Sequence, residues 1–302
     1  MRKHPLLAGV VDLHVHSFPD LTQRSVSDLD MARLARDAGM KGFAIKSHYA
    51  PTAERAWLTH RVVPEVEVYG SIVLNHFVGG INAAAVEVFA RSGGRLVFMP
   101  TSDSMNEADV LDTWPGDQQL PPYLKIKKSM RASGRLNPPI SLLDEHGRVS
   151  ESCRDVLSVA AEYDLVVSTG HISPVETMAL VPVAKQMGVQ RVVVSHPESP
   201  HIGVPLDDQL ELVRQGAMIE RCFAYIDGSP LAETAYDAVR RTGLESNIFS
   251  SDMGMFQRDD PVSGFARCVD LLLAAGFGDD DVRMLTATNP SALVGAVNPR
   301  LV

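Results

Sequence analysis

Cysteine is scarce: among 302 residues there are three, Cys153, Cys222 and Cys268, widely spaced and without a C-x-x-C pair. Odd in number, they argue against a disulfide scaffold or a thiolate zinc site and suit a reducing compartment, so a cytoplasmic location is expected. Positive charge is also short. With 28 Lys and Arg against 37 Asp and Glu, the formal net charge is −9. That balance argues against general nucleic-acid binding, where a basic surface must displace phosphate counterions. Long apolar runs are missing as well: the stretch beginning at Leu6 is cut by Asp12, and no later segment approaches the roughly 20 apolar residues of a membrane span. What is present is a 45% hydrophobic chain able to bury a sizeable core, expected to act on small molecules.

Short β-branched runs alternate with longer amphipathic stretches, which predicts a parallel sheet with helical crossovers. The expected strands are 8–14, 41–45, 66–74, 95–99, 163–168, 189–195, 217–221 and 247–251. Helices are expected near 28–38, 52–62, 81–91, 150–162, 174–187, 206–215, 231–241 and 261–275. Gly39, Gly93, Gly188, Gly216, Gly243 and Gly276 stand where left-handed helix caps are expected. Eight βα units of this length favour a closed α/β barrel, a distorted (β/α)8 or TIM barrel, as one domain over residues 1–302. Residues 103–149 interrupt the rhythm with Trp114-Pro115-Gly116, Pro121-Pro122 and Pro138-Pro139. So long and aperiodic a segment predicts a lid or binding loop over the barrel mouth. Its basic residues Lys125, Lys127, Lys128, Arg131 and Arg135 form either a solvated face or an anion-attracting wall. Thr288-Asn289-Pro290 reads as a cap and first-turn proline opening a C-terminal helix and tail over 289–302.

Asp12-Leu13-His14-Val15-His16 places a carboxylate and two imidazoles at every second position of the first strand. Strict alternation predicts Asp12, His14 and His16 on one face, with Val11, Leu13 and Val15 on the other. Two imidazoles one pleat apart can converge on a divalent ion, with Asp12 fixing the tautomer of a ligating ring from behind. Other polar residues gather where later strands end: Lys46-Ser47-His48, Asn75-His76, Thr169-Gly170-His171, Ser195-His196, Glu220-Arg221 and Ser251-Asp252. Six histidines, His14, His16, His48, His76, His171 and His196, thus fall on the rim where barrel active sites lie.

The ordered set His14-x-His16, His171, His196 and Asp252 at strands one, five, six and eight resembles the amidohydrolase superfamily of metal-dependent hydrolases. The resemblance implies one or two divalent ions, usually zinc, that activate water against an amide, lactone or ester bond. It also implies His14, His16, His171 and Asp252 as metal ligands, Asp252 as proton acceptor, and His196 as a ligand of a second ion or a polariser of the substrate carbonyl. The fourth strand lacks the usual bridging carboxylated lysine or glutamate; Lys46 on the second strand is a candidate carbamate bridge or general base, since burial frees a lysine of its proton, or else an uncharged or ion-paired lysine that contacts substrate. His48 and His76 are candidates for substrate contact or a structural hydrogen bond, and Glu220 could orient a ligand or contact a substrate amine, although a salt bridge with Arg221 or a neighbour is the plainer expectation. Two alternatives stay open: a PHP-type phosphoesterase, whose expected aspartate is replaced here by Ser47, and a catalytically silent metal- or ligand-binding barrel. A small-molecule substrate is expected, with no nucleic-acid or membrane partner and with a homo-oligomer possible.

Overall fold

Eight parallel strands pair in sequence order: β1 (Val11–Val15), β2 (Gly42–Ile45), β3 (Glu67–Val73), β4 (Leu96–Phe98), β5 (Val166–Ser168), β6 (Arg191–Ser195), β7 (Met218–Cys222) and β8 (Asn247–Ser250). This computed structural model describes residues 4–115, 120 and 122–295. The crossovers are α1 (Asp28–Ala38), α2 (Ala53–Val62), α3 (Ala83–Arg91), α6 (Glu151–Glu162), α7 (Pro174–Gln186), α8 (Leu206–Arg214) and α10 (Leu231–Thr242), and α11 (Pro261–Ala274) follows β8. The local chemistry is visible in α1. Ser27 accepts the Asp30 amide at the start, Met31, Ala32 and Ala35 turn inward, and Gly39 ends the helix at φ 77°. No helix among the described residues is long and apolar enough to cross a membrane.

β8 meets β1 through the ends of the strands, which nearly closes the (β/α)8 barrel. Val15 bridges Met253, the His16 N–H donates to the Met253 carbonyl at 2.8 Å, and the Asp252 N–H donates to the His14 carbonyl at 2.9 Å. Gly254 follows at φ 132°, where a Cβ would lie 1.7 Å from the His16 carbonyl oxygen. Only glycine fits that approach.

The barrel interior is filled by Val11, Leu13, Tyr69, Val73, Phe98, Val166, Val193 and Ile248, joined by Leu293 and Val294 of α13 (Asn289–Val294). Arg95, just before β4, donates to the Val294 carbonyl, so α13 covers the end where the strands begin. The opposite end is left for chemistry. Two outer clusters pack the helices onto the sheet.

Three expectations need correction. β1 carries a bulge: its ladder pairs Asp12 with Phe43 and then Val15 with Ile45, three steps against two. Strict alternation therefore fails. Val11 and Leu13 join the interior cluster and Val15 the outer one, while Asp12 lies by α11, where it adds to burial in pushing the Cys268 thiol up. Residues 103–149 are not one irregular loop, because they carry the helices α4 (Val110–Thr113) and α5 (Pro122–Ala132) and a bridge from Ser104 to Ile140. Part of that segment, 116–119 and 121, lies outside the described residues, as does the tail from 296. Thr288 is no cap, since α12 (Asp279–Arg283) runs on through a π turn, Met284–Thr288, directly into α13.

Candidate metal centre

Five imidazoles form a closed circuit at the open end of the barrel. His14 lies 5.5 Å from His16, His16 5.0 Å from His48, His48 6.0 Å from His171, His171 5.1 Å from His196, and His196 5.7 Å from His14, centroid to centroid. Each comes from a different strand end except the bulged pair on β1. His14 and His16 share a side by ordinary alternation about Val15, and the bulge puts Asp12 on the other side. Asp12 Oδ1 accepts the backbone amides of His14 at 3.2 Å and Ser251 at 2.9 Å, so this carboxylate ties β1 to β8 and touches no ring.

Asp252 stands at the centre of the circuit's β1 side. Its Oδ1 lies 3.1 Å from His14 Nε2 and 3.1 Å from His16 Nε2. The back of His14 is held by Glu220, both of whose oxygens lie 3.3 Å from Nδ1, with Cys222 Sγ at 3.7 Å. With Nδ1–H given to Glu220, Nε2 presents a lone pair to an oxygen that is itself an acceptor. Such an arrangement needs positive charge at that point, whether a proton on Nε2, the neighbouring Lys46 or a metal ion. Burial opposes charge on His14, yet Asp252 and, against Lys46, Glu220 lift its pKa to about 9. The field that favours a proton at Nε2 favours a metal ion there equally. Lys46 Nζ lies 2.8 Å from the same nitrogen and 4.7 Å from the Phe98 ring centroid, and its pKa is lowered, chiefly by burial.

On the far side of the circuit His171 Nδ1 meets Glu107 Oε1 at 3.2 Å. Glu107 belongs to the inserted segment, in a 3-10 turn at Met105–Glu107. His171 and His14 thus share one construction, a buried carboxylate fixing Nδ1 and aiming Nε2, which is how proteins orient metal-binding histidines. His196 and His16 complete the fit. Both ring nitrogens of His196 and Nδ1 of His16 are buried without a hydrogen-bond partner, a costly state unless a ligand occupies it. Burial first, and then the neighbouring His171, push His196 well below the usual imidazole range, so it is a neutral donor. Ligand atoms of His14, His196 and Asp252 all lie within 4.8 Å of one another. His196 and Asp252 also have positive φ, 25° and 49°. Non-glycine residues in that region are uncommon and concentrate at functional sites.

The remaining candidates separate. His48 joins the circuit, its Nδ1 2.8 Å from Thr101 Oγ1, and Asn75 braces both by donating to the His48 carbonyl and to Thr101. His76 does not join it; its Nε2 takes the Pro138 carbonyl at 2.7 Å and so moors the inserted segment. Glu220 is buried against His14 instead of pairing with Arg221, whose partner is Glu198. The basic cluster is partly spent, since Lys127 lies 3.7 Å from Asp103 and Arg131 bonds Asp112. Two residues escaped the sequence reading. Glu107 sits in a segment without periodicity, and Cys222 looked like packing; neither carries a pattern that would have marked it.

A family model described as "Family of unknown function (DUF6282)" matches residues 9–220, and the chain belongs to that family. A search of curated proteins finds no match. Solved structures with the same barrel include an amidohydrolase from Pseudomonas aeruginosa, 10% identical over 96% of each chain with TM-score 0.62. The probable dipeptidase PvdM from the same organism is 12% identical over 95% of each chain, also at 0.62. A 2,6-dihydroxybenzoate decarboxylase is 12% identical over 95% of this chain and 99% of its own, at 0.58. At these identities the likeness is one of fold.

Proposed function

We propose that this DUF6282 chain is a metal-dependent hydrolase of amidohydrolase type that cleaves an amide, lactone or ester bond in a small molecule. The observation that carries the reading is the convergence of two imidazole Nε2 atoms on one Asp252 oxygen, 3.1 Å from each. His14, His16, His171, His196 and Asp252 would hold the ion, and Lys46, whose Nζ lies 2.8 Å from His14 Nε2, would bridge a second as its carbamate. When bound, a divalent ion, zinc by our choice for mixed imidazole and carboxylate donors, lowers the pKa of water from about 15.7 toward about 7 and polarises a carbonyl. Asp252 accepts the proton of the attacking water and returns it to the leaving nitrogen or oxygen, a task that needs a base within about 3 Å of both. Glu220 and Glu107 keep the His14 and His171 rings aimed. The three buried, unpaired cysteines accord with a reducing, cytoplasmic setting.

Ser47, which accepts the Tyr49 amide at 3.3 Å, stands where a PHP-type phosphoesterase would carry an aspartate, and this favours carbonyl over phosphoryl chemistry. The test is elemental analysis of protein purified without added metal, followed by a panel of lactones, esters, amides and phosphoesters. We expect at least one tightly held divalent ion per chain, turnover within the carbonyl panel, and a loss of about 10²–10⁴ in kcat for Asp252→Asn with metal retained. Metal-free protein, or Asp252→Asn near wild-type turnover, would overturn the assignment; metal without turnover on any panel would leave a binding barrel.

A further inference from the structure

Arg24, in the β1–α1 connection, has no role in the centre described above, yet the fold brings it to the edge of the cup. It forms an antiparallel bridge with Met255, and the next N–H, that of Ser25, donates to the Gly254 carbonyl at 2.9 Å. Arg24 therefore lies against the segment that begins with Asp252 and receives the His16 amide at Met253. Its side chain is only 9% exposed and is gripped from one side by Asp20 Oδ2, at 3.1 Å from Nε and 2.9 Å from Nη2. A guanidinium has five N–H donors in a rigid fork, and Asp20 accepts from two of them, at Nε and Nη2.

The two connections that Arg24 joins also expose large apolar side chains, Phe18 at 50% and Leu21 at 60% on one, Met255 at 45% and Phe256 at 57% on the other. Apolar residues gathered on a functional rim mark a contact surface. A fixed cation beside an apolar shelf, both next to the candidate metal ligands, is complementary to one kind of small molecule. We propose that Arg24 recognises a carboxylate on the substrate, and that the apolar body of the same molecule rests on Phe18, Leu21, Met255 and Phe256. The proposal rests on the hydrolase reading and narrows it to apolar carboxylates.

Calorimetric titration with phenylacetate and with phenylacetamide tests it, using metal-free and metal-loaded full-length protein. The metal-free arm removes direct carboxylate–metal contact and makes binding independent of turnover. We expect metal-free wild type to bind phenylacetate about tenfold more tightly than the amide, as a bidentate charge-assisted contact implies. Arg24→Met should erase that preference, and Phe18→Ser with Phe256→Ser should weaken both ligands alike. Should Arg24→Met fail to fold, Arg24→Lys serves, with the preference reduced at an unchanged melting temperature. Equal affinity for the two ligands, no binding of phenylacetate, or an intact preference in the Arg24 variants would overturn the proposal. A preserved preference in protein that shows no turnover would instead count against the hydrolase reading alone.

Discussion

His14 and His171 are held in the same manner, by a carboxylate at Nδ1, but from different parts of the molecule. Glu220, which holds His14, is on β7 and is fixed by ladders on both sides, and neither side chain exceeds 3% exposure. Glu107, which holds His171, is on the inserted segment; its histidine is 17% exposed. All five imidazoles of the cup thus stand at strand ends of the barrel, and the 103–149 segment adds the carboxylate behind one of them. The segment is tied to the barrel by Ser104 to the His171 carbonyl, Asn106 to the His201 carbonyl, His76 to the Pro138 carbonyl and the Leu142 amide to Glu176, and Leu142 and Val149 join an outer core cluster. The lesson is that a rigid scaffold can supply every imidazole while a residue from outside the sheet orients one of them.

This contrast can be broken most directly on the barrel side. Gly254→Ala forces a Cβ onto the His16 carbonyl and is expected to cost more than about 3 kcal/mol, beyond the usual expense of one strained residue, with metal lost as well; urea unfolding and metal content measure both. Next in size is Glu220→Gln. Removing the charge behind His14 should weaken metal affinity about 100-fold, toward the upper end for such orienting partners, in a chelator competition assay. Glu107→Gln should weaken it only about tenfold, because a more exposed ring can be re-oriented by water. Equal losses in the two variants would erase the distinction drawn here. The smallest effect is expected for Asp12→Asn, which keeps an oxygen for the His14 and Ser251 amides: metal affinity stays within about twofold, whereas Asp12→Ala loses about 1–3 kcal/mol of stability for each amide left bare. A large drop in metal affinity for Asp12→Asn would return that carboxylate to the cup.

Much of the architecture was legible because each strand and helix announced itself locally. The β-branched runs, the polar caps such as Ser27 and Ser173, and the six capping glycines, all found at positive φ, each follow from backbone physics acting over a few residues. The rim histidines were legible for a related reason: a strand end is readable, and a barrel collects strand ends. Five of the six meet as a consequence, and His76 does not because its strand runs on into a turn that faces the insertion. The bulge at Asp12 was not readable, since one extra residue in a ladder leaves no mark on composition or period. Glu107 and Arg24 were hidden for another reason. Both depend on which distant segment lies alongside them, and nothing in their own neighbourhood encodes that.

The join between the first and last strands has a consequence for the whole molecule. The hydrogen bonds that shut the cylinder run through the backbone of His14, His16, Asp252 and Met253, so the donors of the cup and the clasp of the barrel are the same few peptides. Loading an ion would pull that clasp tight from the inside, and stripping it would loosen the one place where the sheet lacks a full ladder. Amide hydrogen exchange should therefore slow first at His16 and Asp252 as metal is added, and mechanical or thermal opening of the apoprotein should begin there, like a hoop parting at its buckle.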